Sequence, residues 1–332
     1  MANSRSNSRV ILVTGGAGYI GSQLVRDLAA DPRFAHLTIR IYDNLRRERY
    51  SGLMDLPPGG SYEFIEGDIL DRVNLARAMQ GVSAVVHLAA IVTTPLHFDH
   101  PEWTRQVNQW GTASVVDCAL AAGVTRLIYT SSASVYGPGG PFREDDRCRP
   151  VGPYSTSKLK AEEEVRRSEE RGLRATILRL GMTFGSAPAM RFDAVVSRFV
   201  YAVGVGRPMS IHGTGEQVRP LIHVRDASAA LRLCLADART EGEVFNAASM
   251  NHSVNDIAAT LKQLVPTAAT RYTDQDVLTN ISYEVDSSKL MKLGFKPALR
   301  LTEGLREMLA RWQGFQPALH DTGALVAPED VA

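Results

Sequence analysis

An α/β fold is predicted, with a doubly wound parallel sheet followed by a smaller C-terminal α/β domain, and three observations predict it. Short β-branched runs alternate with segments of helical periodicity as far as Leu180. Short links join them, as parallel strands with covering helices require. A glycine-rich turn separates the first run from the first helix. Past Leu180 the strands shorten and Gly and Pro become frequent, which marks a second unit. The predicted boundaries are 1–180 for the sheet domain, with help from about 219–248, then 181–315 for the second domain and 316–332 for a flexible tail.

The chain has 332 residues, enough to bury a large core, with an apolar share of 44% and a charged share of 22%. Its 37 Lys and Arg nearly cancel 36 Asp and Glu, leaving +1. That balance argues against nucleic acid or an anionic membrane as a bulk electrostatic partner. There is no run of eighteen apolar residues, and the polar opening Met1–Ser8 reads as a disordered lead-in without a secretory signal. Cys118, Cys148 and Cys234 are scattered, without metal-type spacing, so buried thiols in a reducing cytoplasm are expected. His97 and His100 are near neighbours without a third ligand, and no metal site is expected.

Taken in order, Arg9–Thr14 is a buried strand, and Gly15, Gly18 and Gly21 follow in G-x-x-G-x-x-G spacing before the helix Ser22–Ala30. Strand, glycine turn and helix are the context of a dinucleotide loop, where missing side chains let backbone approach a pyrophosphate at the helix N-terminus. The second strand, Thr38–Tyr42, ends in Asp43, an acid placed to accept hydrogen bonds from adenosine ribose hydroxyls and to repel a 2′-phosphate. NAD is therefore favoured over NADP, against the reservation that Arg46 and Arg47 follow. Tyr62–Glu66 and Ala84–Leu88 are further strands, the latter running into Ala89 and Ala90, whose small side chains admit a ligand above the sheet. A long helix over Pro101–Ala122 carries Asn108 among apolar positions.

Arg126–Ser131 is a fifth strand, entering Ser132-Ala133-Ser134-Val135-Tyr136-Gly137. Beyond Pro153 a helix predicted over Tyr154–Gly172 opens with Tyr154-x-x-x-Lys158. Residues four apart on a helix share a face. An ammonium beneath a phenol lowers its pKa and makes a general base near neutral pH. Arg174–Arg179 is a sixth strand, and helices are expected over Arg191–Val203, Ala227–Ala236, Val254–Leu264 and Leu301–Gln313.

Together these pieces, with Gly67-Asp68-Ile69 and His87-Leu-Ala-Ala90, resemble the extended short-chain dehydrogenase/reductase family, in its nucleotide-sugar epimerase and dehydratase branch, over roughly residues 9 to 315. The resemblance implies a Rossmann-like cofactor domain that binds NAD through Gly15, Gly18, Tyr19, Ile20, Gly21, Asp43 and Asn44. Asp68, Ile69, Leu88, Ala89, Ala90 and Ser131 would complete that site. It implies Ser132, Tyr154 and Lys158 as catalytic residues, Tyr154 as base and Lys158 on the nicotinamide ribose. Contacts to a UDP-, dTDP- or GDP-sugar would come from Thr93, Ser132, Ser134, Tyr136, Tyr154, Arg191 and Arg219, with the two arginines as diphosphate candidates. A homodimer through the helices over Pro101–Ala122 and Tyr154–Gly172 is implied as well. Met182 and Pro220 stand where the family usually has Asn and Asp, which leaves the sugar open.

Ala133 and Ser134 beside Ser132 offer neither acid nor thiol. Chemistry at one hydroxyl-bearing carbon is therefore expected: 4-epimerisation first, then ketoreduction, then 4,6-dehydration. A non-enzymatic dinucleotide sensor has no use for the Ser132/Tyr154/Lys158 set.

Overall fold

The computed structural model describes residues 10–92, 98–274, 281–312 and 314. The lead-in, Thr93, His97 and the segment 316–332 lie outside the described residues.

The first run forms β1 (Val10–Thr14), with Leu12 and Val13 wholly buried. A strand covered on both faces must be apolar throughout, which is why its sequence is continuous and not alternating. The glycine turn leads to α1 (Tyr19–Ala30), and β2 (Thr38–Asp43) and β3 (Ser61–Glu66) follow. Next come α2 (Arg72–Ala78) and β4 (Val82–His87).

The long helix is observed as α3 (Pro101–Arg105), a π-helical turn (Gln106–Trp110) and α4 (Gly111–Ala121). The wide turn contains the buried Asn108. Its amide accepts from Ile91 N at 2.8 Å and donates to Ile91 O and to Ser157 Oγ, each at 3.0 Å. An interior polar group satisfied on both ends locks the chain beyond β4 onto the next helix.

Then come β5 (Arg126–Ser132), β6 (Gly139–Phe142), α5 (Pro153–Glu169) and β7 (Arg174–Leu180). The remaining strands are β8 (Met182–Phe184), β9 (Met209–His212), β10 (Val218–His223), β11 (Glu243–Ala247), β12 (Met250–Ser253), β13 (Thr270–Thr273) and β14 (Tyr283–Val285). Between and after them lie α6 (Val195–Gly204), α7 (Val224–Ala236), α8 (Val254–Leu264), α9 (Ser288–Lys292) and α10 (Leu301–Ala310).

Among the described residues, seven parallel strands form one sheet in the order β11-β7-β5-β4-β1-β2-β3. The order reverses between β1 and β4, and in such sheets the crevice beyond that reversal is where ligands bind. Alternate residues of β1 face two cores. Ile11 and Val13 join Leu24 and Leu28 of α1 and Leu231 of α7, whereas Leu12 joins Leu75, Val115 and Val165 on the other side. A third core under β8, β9 and β10 gathers Phe184, Val196, Phe199, Ile257 and Leu305.

Of the stretch 219–248, α7 and β11 serve the large sheet, while β10 pairs with β8 and β12 in the smaller one. The hydrophobic pattern alone did not separate these partners, because both cores take apolar strands.

The adjacent strands β5 and β7 are fixed to α5 by a buried ion pair and its neighbours. Arg179 Nε and Nη2 reach Glu162 Oε1 and Oε2 at 3.0 and 2.8 Å, with both side chains at most 3% exposed. Ser131 Oγ donates to Glu162 at 2.6 Å, and Arg179 also donates to Tyr136 OH at 2.8 Å. Removing one partner strands the other charge. Glu162→Gln is therefore expected to cost about 3–5 kcal/mol of stability in urea denaturation, while Glu163→Gln, which breaks the exposed pair with Lys160, should cost under about 1 kcal/mol.

Candidate active site

The glycine turn is shaped by contacts that no side chain would survive. Gly15 has φ +70°, and a Cβ on it would meet Ala89 N at 2.7 Å. On Gly21 a Cβ would meet Gly15 O at 2.3 Å. The loop is thereby drawn down against the end of β4, and α1 begins at Gly18 without any side-chain cap. Its first amides are left for an anion, and no acidic residue occupies its first turn.

Asp43 fastens the loop from the other side. Its carboxylate accepts from Ala17 N at 3.1 Å and from Leu45 N at 3.0 Å. Burial pushes its pKa upward, and those two amides hold the shift back. Asn44 Nδ2 donates to Asp68 Oδ2 at 2.9 Å, so the segments beyond β2 and β3 are tied together. Behind Ala89, Thr14 Oγ1 and His87 Nδ1 lie 2.7 Å apart, and His87 Nε2 lies 2.9 Å from Thr112 Oγ1. Burial, then the charge of Lys158, pushes His87 down to about 3, so it remains a neutral connector between β1, β4 and α4.

A single cavity of about 570 Å³ runs from this loop into the second domain. Gly15, Gly18, Tyr19, Ile20 and Gly21 line one end with Asp43, Asn44, Asp68 and Ile69. Leu88, Ala89, Ala90, Ser131, Ser132, Ser134, Tyr154 and Lys158 line it further on, and Arg191 and Arg219 line it as well.

Three residues depart from the sequence expectation in what their side chains do. Tyr136 is 1% exposed and absent from the cavity wall; its hydroxyl donates to Asn246 Oδ1 at 2.7 Å and its ring stacks on Phe142. It is built into the core because the 3₁₀ turn Ala133–Tyr136 rotates it away from Ser132 and Ser134. Ser131 turns its hydroxyl to Glu162, leaving backbone toward the cavity. Tyr19 sends its hydroxyl to Gly185 O at 2.6 Å, joining the first helix to the second domain.

At the centre, Ser132 Oγ lies 2.9 Å from Ser134 Oγ, which accepts from Ser155 Oγ at 2.9 Å. The Ser132 hydroxyl also hydrogen-bonds the Tyr154 phenol. Lys158 Nζ donates to Thr130 O at 2.7 Å and lies 4.9 Å from the centre of the Tyr129 ring. Burial brings Lys158 down to about 7.

The lowering of the Tyr154 pKa that its spacing to Lys158 predicts has burial to overcome. Burial raises the phenol, and what holds it back is first the charge of Arg191 and then the bond from Ser132. With Nζ drawn to the Thr130 carbonyl, the ammonium serves the strand end first. Arg191 itself is held by Asp193 (Nε to Oδ1, 2.5 Å) and by Val92 O (3.3 Å). Arg219 donates to the carbonyls of Val218 (2.9 Å) and Ile281, with its guanidinium 5.5 Å from the centre of the Tyr283 ring. Sequence reasoning missed Arg49, Phe98, Trp103, His212 and Tyr283, all on the cavity wall. They lie in loops or on short elements where no spacing singles them out.

The sequence profile of the NAD dependent epimerase/dehydratase family matches residues 11–248. The chain belongs to that family. Among its relatives, a UDP-glucose 4-epimerase of Azospirillum brasilense is 32% identical over 261 residues, 73% of this chain and 72% of that one. A dTDP-D-glucose 4,6-dehydratase of Bos taurus is 29% identical over 336 residues, 95% and 93% of the two chains. Among solved structures, MoeE5 in complex with UDP-glucuronic acid and NAD superposes with a TM-score of 0.80 at 31% identity, over 91% of this chain and 98% of that chain. Family membership makes NAD the cofactor, and the glycine cradle, the uncapped α1 and Asp43 fit it.

Two expected outcomes follow from the buried cations. The unfolded lysine titrates near 10.4, so between about pH 7 and pH 10 the unfolded chain binds the extra proton and stability rises with pH. Lys158→Met should remove that rise in denaturation midpoints measured across the same range. Arg191→Met should move the limb of kcat/KM that rises with pH toward higher pH, since the phenol loses the charge that favours its ionised form.

Proposed function

We propose that the protein is a NAD-dependent nucleotide-sugar 4-epimerase. The observation that carries this reading is the wall around the Ser132 hydroxyl. Ala133 beside it is fully buried, and Ser134 is a hydroxyl. Among the described residues the cavity wall has no cysteine. Its carboxylates are Asp43 and Asp68 near the glycine turn, and Asp193 held against Arg191. Elimination across a neighbouring carbon, or proton exchange at carbon, needs an additional acid or thiol.

In this reading Tyr154 takes the proton of the C4 hydroxyl while Ser132 hydrogen-bonds the same oxygen. Ser134 and Ser155 keep Ser132 oriented. Lys158 holds the nicotinamide ribose, and Arg219 and Arg191 meet the negative charge of a UDP- or dTDP-sugar. When bound, NAD supplies a hydride acceptor that is regenerated when the hydride returns to the opposite face of C4. Tyr154 then gives back its proton, so the cycle is redox-neutral.

A 4,6-dehydratase is the second reading, supported by the 29% identical Bos taurus relative. The two are separated by incubating sugar nucleotides in deuterated water and following the carbon skeleton by NMR. C4 inversion without carbon-bound deuterium is the expected result; deuterium at C5 or C6 would replace epimerisation with elimination. Tyr154→Phe should lower kcat at least about a hundredfold, and near wild-type turnover in that variant would sink the proposed mechanism.

A further inference from the structure

The loop beyond β2 and the helix beyond β4 touch each other across the strand that lies between them. In the large sheet β1 separates β4 from β2, and the glycine turn rises from β1. Adjacent strands are spaced by about 4.8 Å, so the ends of β2 and β4 stand about 10 Å apart. Arg46 follows β2 and Trp103 sits on α3, yet the Arg46 guanidinium carbon lies 3.8 Å from the centre of the Trp103 ring. Both residues line the cavity. Their contact therefore passes above the glycine turn.

We propose that the Arg46–Trp103 stack is a strap across the dinucleotide end of the cavity that sets how slowly NAD leaves. The loop that delivers Arg46 is held in an unusual backbone. Leu45 and Glu48 have φ of +48° and +50°, a conformation that side chains disfavour. Such a backbone persists where its surroundings over-determine it, and here they do. Asp43 accepts from Leu45 N, Asn44 Oδ1 accepts from Arg46 N at 3.2 Å, and Asn44 Nδ2 is bonded to Asp68. The sequence offered Arg46 as a partner for a 2′-phosphate; in the fold its guanidinium is spent on an indole.

A strap of this kind suits a cofactor regenerated in place, and to that extent the proposal rests on the epimerase reading. A reductase must exchange its cofactor at every turnover, whereas an epimerase has no such need.

The test measures release of NAD from the holoprotein into an excess of an unrelated alcohol dehydrogenase with ethanol, followed as NADH absorbance. Wild type, Arg46→Ala, Trp103→Leu and the double variant are compared, with thermal midpoints of the cofactor-free proteins as the check on folding. Arg46→Ala should release NAD about tenfold faster, Trp103→Leu should do likewise, and the double variant should match either single one within about twofold. Release from Arg46→Ala within twofold of wild type, or effects that multiply in the double variant, would overturn the strap. Should Trp103→Leu fail the folding check, the Arg46→Ala ratio decides alone. The failure of the epimerase reading is a separate result: consumption of NADPH without C4 inversion would remove it and leave the ratio of release rates to judge the strap.

Discussion

Lys158 is held to the carbonyl of Thr130 by one short hydrogen bond inside a wall that excludes water. The arrangement of the candidate site depends on it. The bond pins the first turns of α5 over the end of β5, and so brings Tyr154 against Ser132. Glu162, one helical turn further on, fixes the same helix through Arg179 to β7. Two attachments on one face of a helix define both its height and its rotation. A base placed by a helix end and a hydroxyl placed by a strand end can thus meet without either lying on a free loop.

How much of this was legible in the sequence follows from what each feature is made of. The β-branched run at Val10–Thr14 showed itself because a parallel strand covered on both faces is nearly continuous in apolar residues. Gly15 and Gly21 showed themselves because their spacing reports a backbone contact. Tyr136 was misplaced, since motif adjacency to Ser134 says nothing about the turn that rotates it into the core. The bond from Lys158 to Thr130 was hidden for a related reason. Spacing of four gives a shared face, but the competing carbonyl of Thr130 belongs to a strand distant in sequence. Tyr283 reaches the cavity from the short β14, paired to β6, and nothing in its local sequence signals that.

The dinucleotide end of the cavity and the rest of its wall differ in how their residues are held. Near the glycine turn, backbone amides and carboxylates fix one another, as with Asp43, Ala17 and Leu45. Elsewhere on the wall long cations are braced by side chains and carbonyls, Arg191 by Asp193 and Val92 O and Arg219 by two carbonyls. The first is a rigid frame built largely from backbone. The second rests on side chains that a few substitutions can re-aim.

The Tyr19 hydroxyl on the Gly185 carbonyl has a mechanical consequence. The residue that starts the cofactor helix is sewn, through a buried phenol, to the chain segment leaving β8. The first helix and the segment beyond β8 are thus pegged together. Separating them would leave a buried phenol hydroxyl and a carbonyl to find other partners.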